Sequence, residues 1–190
     1  MALLSGRYNL RPAAYLGVVA AIIASSLAAA ATPDASVEYA VKAAYLYKFG
    51  EFVEWPQSAF GSQNSPATLC IVGDDPFGAT LDKAVAGQRI ANRSIEIKRL
   101  KTATAGSGCQ VMYVAGKDAE SLGKAIGTVR GESVLTITDG AAGVVPPGII
   151  NFVITNNRVR FEIDDGAAAA NGLTISSKLL ALATSVKPKG

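Results

Sequence analysis

Between Gly148 and Val186 the chain leaves itself little freedom. Two apolar runs meet at Asn156-Asn157. Asparagine tolerates positive φ better than most residues, so an adjacent pair suits a two-residue type I′ hairpin turn. Such a turn pairs Thr155 with Arg158, Ile154 with Val159, Val153 with Arg160, Phe152 with Phe161, Asn151 with Glu162 and Ile150 with Ile163. Side chains alternate across a strand, so Ile150, Phe152, Ile154, Val159, Phe161 and Ile163 share one face. That face reads as core. The other carries Asn151, Val153, Thr155, Arg158, Arg160 and Glu162. Arg158, Arg160 and Glu162 are therefore either a solvated sheet face or a recognition surface, because arginine forms bidentate pairs and is enriched at interfaces.

The rest of the chain alternates helical and strand patterns. Ser36 is placed to cap a helix to about Glu54, with Val37, Ala40, Val41, Ala44, Tyr45, Phe49, Phe52 and Val53 on its apolar side and Glu38 pairing with Lys42 on the other. Pro56 ends it. Ala67 to Gly73 reads as a buried strand, and Asp75 as the cap of a helix with Pro76 at its first position, stopped by Gly87. Ile95 and Ile97 alternate with Glu96 and Lys98, a half-buried strand. Gln110 to Ala115 is a strand, Asp118 opens a helix ending near Arg130-Gly131, and Val134 to Thr138 is a strand. After the hairpin come a short helix, Asp165 to Asn171, and a second from about Ser176 to Ser185. The pattern predicts one three-layer α/β domain: a largely parallel central sheet, a C-terminal antiparallel hairpin and terminal helices.

The N-terminus predicts export. Arg7 and Arg11 precede an apolar run from Tyr15 to Leu27, then small residues offer cleavage between Ala30 and Thr32. Residues 1–31 are expected to leave as a signal peptide, the alternative being an uncleaved anchor, and residues 32–190 to form the domain. Eighteen basic and fifteen acidic residues give +3. Arg7 and Arg11 supply two of those charges, so the exported domain sits at about +1, without the basic surface of a nucleic-acid binder. Cys70 and Cys109, an even count in an oxidising compartment, suggest a bridge if their strands are neighbours. The alternative is two buried thiols.

Chemistry is scarce. The chain has no histidine, which removes Ser-His-Asp and Cys-His catalysis and histidine-ligated zinc. Ser121-Leu122-Gly123-Lys124 matches an S-x-x-K pattern without its partner motifs. Asp74-Asp75 and Asp164-Asp165 read as helix caps rather than calcium ligands, which need spaced oxygens. Neither a metal nor a cofactor is expected, and a small-ligand pocket near Asp139 to Pro147 is the rival to a binding surface.

Five blocks carry a resemblance: Val41 to Phe49, Phe52 to Pro56, Leu69 to Phe77, Asn157 to Ile163 and Gly172 to Leu180. In that order they resemble the YfiR family over about residues 36–187. The resemblance implies a periplasmic protein, often dimeric and without catalytic activity. Its implied partner is the periplasmic part of a membrane-anchored diguanylate cyclase, which it represses to lower cyclic di-GMP and restrain biofilm formation. A histidine kinase or other membrane signalling protein is the second implied partner. Cys70 and Cys109 correspond to a disulfide pair of the family's best-known member, and a second pair there has no counterpart here.

Overall fold

The computed structural model describes residues 35–116, 118–140 and 148–190. The expected signal peptide lies outside those residues, as do positions 141–147 of the loop after Asp139. Helix α1 spans Ala35–Gly50, so Ser36 lies inside its first turn. The helix stops four residues before the expected Glu54. A Cβ on Gly50 would sit 2.8 Å from Ile90 side-chain carbons, so only glycine allows that approach.

The chain continues through β1 (Val53–Glu54), a 3-10 turn (Gln57–Ala59), β2 (Ala67–Val72), α2 (Ala79–Val85), β3 (Arg89–Ile90), β4 (Arg93–Leu100), β5 (Val111–Val114), α3 (Ala119–Thr128) and β6 (Leu135–Asp139). The C-terminal part comprises β7 (Ile150–Thr155), β8 (Arg158–Asp164), α4 (Asp165–Ala170), β9 (Thr174–Ile175), α5 (Ser177–Leu180) and β10 (Ser185–Lys187). Eight strands form one sheet in the order β10-β8-β7-β6-β5-β2-β4-β3, while β1 and β9 pair separately. Strands β4, β2, β5, β6 and β7 run parallel. The expected single α/β domain with a C-terminal hairpin is what forms. Leu69, Ile71, Val111, Tyr113, Leu135 and Ile137 pack beneath α1 and α2. Cys70, Val72, Met112 and Val114 face the opposite way, against Leu122 and Val129 of α3 and its C-terminal flank.

Two further helices differ from expectation. Asp75 does not cap α2. Its carboxylate accepts the Phe77 and Gly78 amides at 2.8 and 3.1 Å, closing a local turn, and the helix begins only after Gly78. The last helix is one turn long rather than reaching Ser185. The outward carbonyl of Phe161 instead takes the Thr184 amide at 2.9 Å, and Ser185–Lys187 lie parallel beside Glu162–Asp164. An open strand edge offers backbone partners that a further helical turn does not.

The hairpin has the expected register, all six pairs included, and Asn156 and Asn157 adopt φ of 49° and 59°. Burial, however, changes along the hairpin as well as across it. At its base Ile150, Asn151 and Phe152 are all buried, whichever face they occupy. Asn151, expected on the wet face, accepts the Thr138 hydroxyl at 3.0 Å. At its tip Ile154, expected in the core, is 46% exposed.

Candidate interaction surface

Helix α1 is apolar on both sides, and the structure uses them in an unexpected way. Ala43, Leu46, Tyr47 and Phe49 face inward with Lys42, which is only 1% exposed. Val37 is 58% and Val41 40% exposed. The expected assignment of α1 is thus overturned at its N-terminal half: Val37, Ala40 and Val41 are outside and Lys42 is inside. A buried ammonium survives only when paired. Lys42 Nζ donates to Asp139 Oδ2 at 2.6 Å and to Glu38 Oε1, and it lies over the Tyr39 ring, 4.9 Å from its centroid. Burial alone would lower the Lys42 pKa, but hydrogen bonds to Asp139 and Glu38 outweigh it and leave the pKa raised. Burial, reinforced by the Asp139 charge, raises the phenols of Tyr113 and Tyr39. Tyr113 reaches Asp139 at 3.4 Å.

This cluster ties α1 to the carboxyl ends of β5 and β6, where parallel sheets commonly hold ligands. Here Asp139 spends its charge on Lys42, so the cluster is an internal clamp. The rest of the loop expected to line a pocket lies outside the described residues. Four aromatic rings extend the clamp under the hairpin: Tyr45 stacks on Phe49 at 5.4 Å, and Phe49 meets Phe161 at 4.9 Å and Phe152 at 5.7 Å.

Above those rings the surface is apolar. A groove of about 290 Å³ runs between α1 and the hairpin tip, lined by Val37, Val41, Tyr45, Ile154 and Val159. A second, of about 490 Å³, follows the other half of α1 past Tyr45, Lys48 and Phe52 to Leu182. Val37, Val41, Ile154 and Leu182 are four of the five large apolar side chains the described residues expose, and all border these two grooves. Clustered exposure of this kind marks contact surfaces, whereas scattered exposure does not.

Arg158 is exposed, and Arg160 and Glu162 are half-buried. They occupy one face of β8, as the pairing requires. None forms a salt bridge among the described residues. Strand β10 covers β8 only at Glu162–Asp164, so the edge carrying Arg158 and Arg160 is open, and Arg160 borders both grooves. Sequence reasoning found the arginines but placed the neighbouring valines of α1 in the core.

The other candidates are structural. Cys70 and Cys109 are joined in a disulfide with Cα atoms 5.8 Å apart, clamping β2 to the segment entering β5. The Ser121 hydroxyl donates to the Asp118 carbonyl at 3.1 Å, while Asp118 caps α3 by accepting the Ser121 amide. Asp75 also holds Arg99 at 2.7 Å. Asp164 caps α4 and accepts Lys187 at 2.9 Å. No group of acidic or cysteine side chains among the described residues could hold a metal ion, and no helix there is long and apolar enough to cross a membrane.

The match to known proteins is at family level. A family model described as YfiR/HmsC-like matches residues 39–184, spanning the domain from α1 to the start of the C-terminal edge. The chain belongs to the YfiR/HmsC-like family. No curated protein matches it. YfiR/HmsC-like proteins are periplasmic, regulatory rather than catalytic, and tied to membrane signalling through diguanylate cyclases. The YfiR/HmsC-like match includes both cysteines, Lys42 with Tyr39, Tyr113 and Asp139 of its clamp, and the whole hairpin.

Proposed function

We infer that the chain is an exported, non-catalytic regulator that acts as a homodimer. It binds the periplasmic domain of a membrane-anchored diguanylate cyclase and represses it, lowering cyclic di-GMP. Family membership over residues 39–184 carries this reading. The site chemistry supports it, because the polar groups suited to catalysis are engaged in caps and clamps while an apolar, arginine-bordered surface stays open. A regulator of this kind needs only two bound states that bias the cyclase differently.

Comparison of strains with and without the gene tests the reading. Deletion should raise cyclic di-GMP, and the exported protein should co-purify with a membrane cyclase. Unchanged cyclic di-GMP together with an empty pull-down would sink it. Co-purification with a histidine kinase instead would move the chain to a different signalling output.

A further inference from the structure

The outer stripe of α1 is built to meet a copy of itself. A helix apolar on all sides is normally covered on all sides, and α1 carries Val37, Ala40 and Val41 outward, with half-buried Ala44 and the outer edge of half-buried Tyr45 continuing the stripe at i, i+3, i+4 spacing. Lys48 extends the stripe and makes no ion pair among the described residues. We propose that this stripe is the seam of the homodimer, with α1 of one protomer packed antiparallel on α1 of the other about a two-fold axis between Val41 and Ala44. It rests on the homodimer in the reading above but not on the identity of the membrane partner.

Size and charge both favour a second copy. Reversing the helix about that axis sets Val41 against Ala44, Tyr45 against Ala40, and Lys48 against Val37 and Glu38. Val41 and Tyr45 each meet an alanine, and the alanines allow axes to approach to about 8 Å. The Lys48 stem covers Val37 while its ammonium reaches Glu38, whose side chain keeps 20% of its exposure despite its bond to Lys42. The pair occurs twice, as an isologous contact demands. Antiparallel helices also oppose their dipoles favourably. The groove between α1 and the hairpin tip then receives the edge of the partner helix. Arg158 and Arg160 border this seam without lying on the helix stripe.

Sedimentation equilibrium and cysteine cross-linking of the exported protein test the seam. Both native cysteines are bridged, so an introduced cysteine is the only free thiol. Ala44→Cys, beside the axis, should cross-link under mild oxidation, and Lys83→Cys on exposed α2 should not. Val41→Glu places two carboxylates together at the axis and should weaken the dimer by about tenfold or more, while the melting temperature at dilutions where both proteins are monomeric stays unchanged because Val41 is exposed in the protomer. Lys48→Glu should weaken it less. A protein monomeric at about 0.1 mM would overturn the inference. A dimer that Val41→Glu leaves intact and Ala44→Cys fails to cross-link would also overturn it, placing the seam elsewhere. Dimer loss with repression of cyclic di-GMP retained would uphold the seam and show that repression is a property of the protomer. If Val41→Glu abolishes cyclase pull-down without touching the dimer, the stripe belongs to the membrane partner and the seam is wrong.

Discussion

The two sides of α1 contain similar residues and do opposite things. The inner side holds Leu46 and Phe49 at 0% and 1% exposure, with a charged lysine sunk among them. The outer side leaves two valines in water. Composition does not separate the sides; available partners do. Inside, Asp139, Glu38 and the Tyr39 ring receive the Lys42 ammonium. Outside, the described residues of one protomer leave Val37 and Val41 largely uncovered. The inner side should therefore govern stability and the outer side association, and substitutions along one helix can pull the two apart.

The largest effect is expected at Phe49. Phe49→Ala empties space between Tyr45, Phe152 and Phe161 and should cost about 3–5 kcal/mol in urea unfolding. Val41→Ala, one side over, should stay within about 0.5 kcal/mol. Equal losses at the two positions would erase the comparison. Lys42→Ala leaves Glu38 and Asp139 half-buried without their cation, and should cost about 3 kcal/mol or more. Its pH dependence has a definite sign. The folded pKa of Lys42 is raised above 10.5, so its contribution is complete below pH 10.5 and is lost as pH rises through the folded value. The raised phenols of Tyr39 and Tyr113 act in the same direction. Thermal melts from pH 9 upward should fall more steeply for the wild type than for Lys42→Met.

Next comes the clamp on the opposite face of the sheet. Cys70 and Cys109 close a loop at a separation of 39 residues, worth about 4 kcal/mol on the chain-entropy model and commonly less in practice. Cys70→Ser with Cys109→Ser should therefore lower urea stability by about 2–4 kcal/mol. Mass spectrometry of the exported protein should find two hydrogens missing, and free thiols would refute the bridge there. Asp75 is a smaller term. Burial would raise its pKa, but Arg99 and the Phe77 and Gly78 amides hold it below the usual range. Its contribution is present above pH 3.8 and lost as pH falls through the folded value. Arg99 is 41% exposed, so screening limits this to under about 1 kcal/mol.

The hairpin was legible because its turn fixes everything else. Two asparagines specify the turn, the turn specifies the register, and the register sorts the side chains. Strand and helix order were legible for a similar reason, since Gly, Pro and Asp punctuate the chain locally. The orientation of α1 was not, because two apolar stripes compete at helical spacing and Glu38-Lys42 looks like an ordinary surface pair. Asp139 and the Phe152 ring, both distant in sequence, help draw Lys42 inward. Edge strand β10 was hidden too, as three residues become a strand only beside the free carbonyl of Phe161. The interaction surface was therefore half visible: its arginines lie on the readable hairpin, and its valines lie on the helix whose rotation needs the tertiary structure.

Arg160 is where stability and recognition should separate most cleanly. It is half-buried, forms no salt bridge among the described residues, and its guanidinium reaches only the Val159 carbonyl at 3.4 Å. Arg160→Glu should change urea stability by less than about 0.5 kcal/mol, the usual range for surface positions without a special partner. Reversing charge on an interface can still cost several kcal/mol of association when the partner is anionic there. A strain carrying Arg160→Glu should show the raised cyclic di-GMP of a deletion while exporting a folded dimer at normal levels. Unchanged signalling would make Arg158, Arg160 and Glu162 the wet face of a sheet, and move recognition towards the groove by Phe52 and Leu182 that Arg160 also borders.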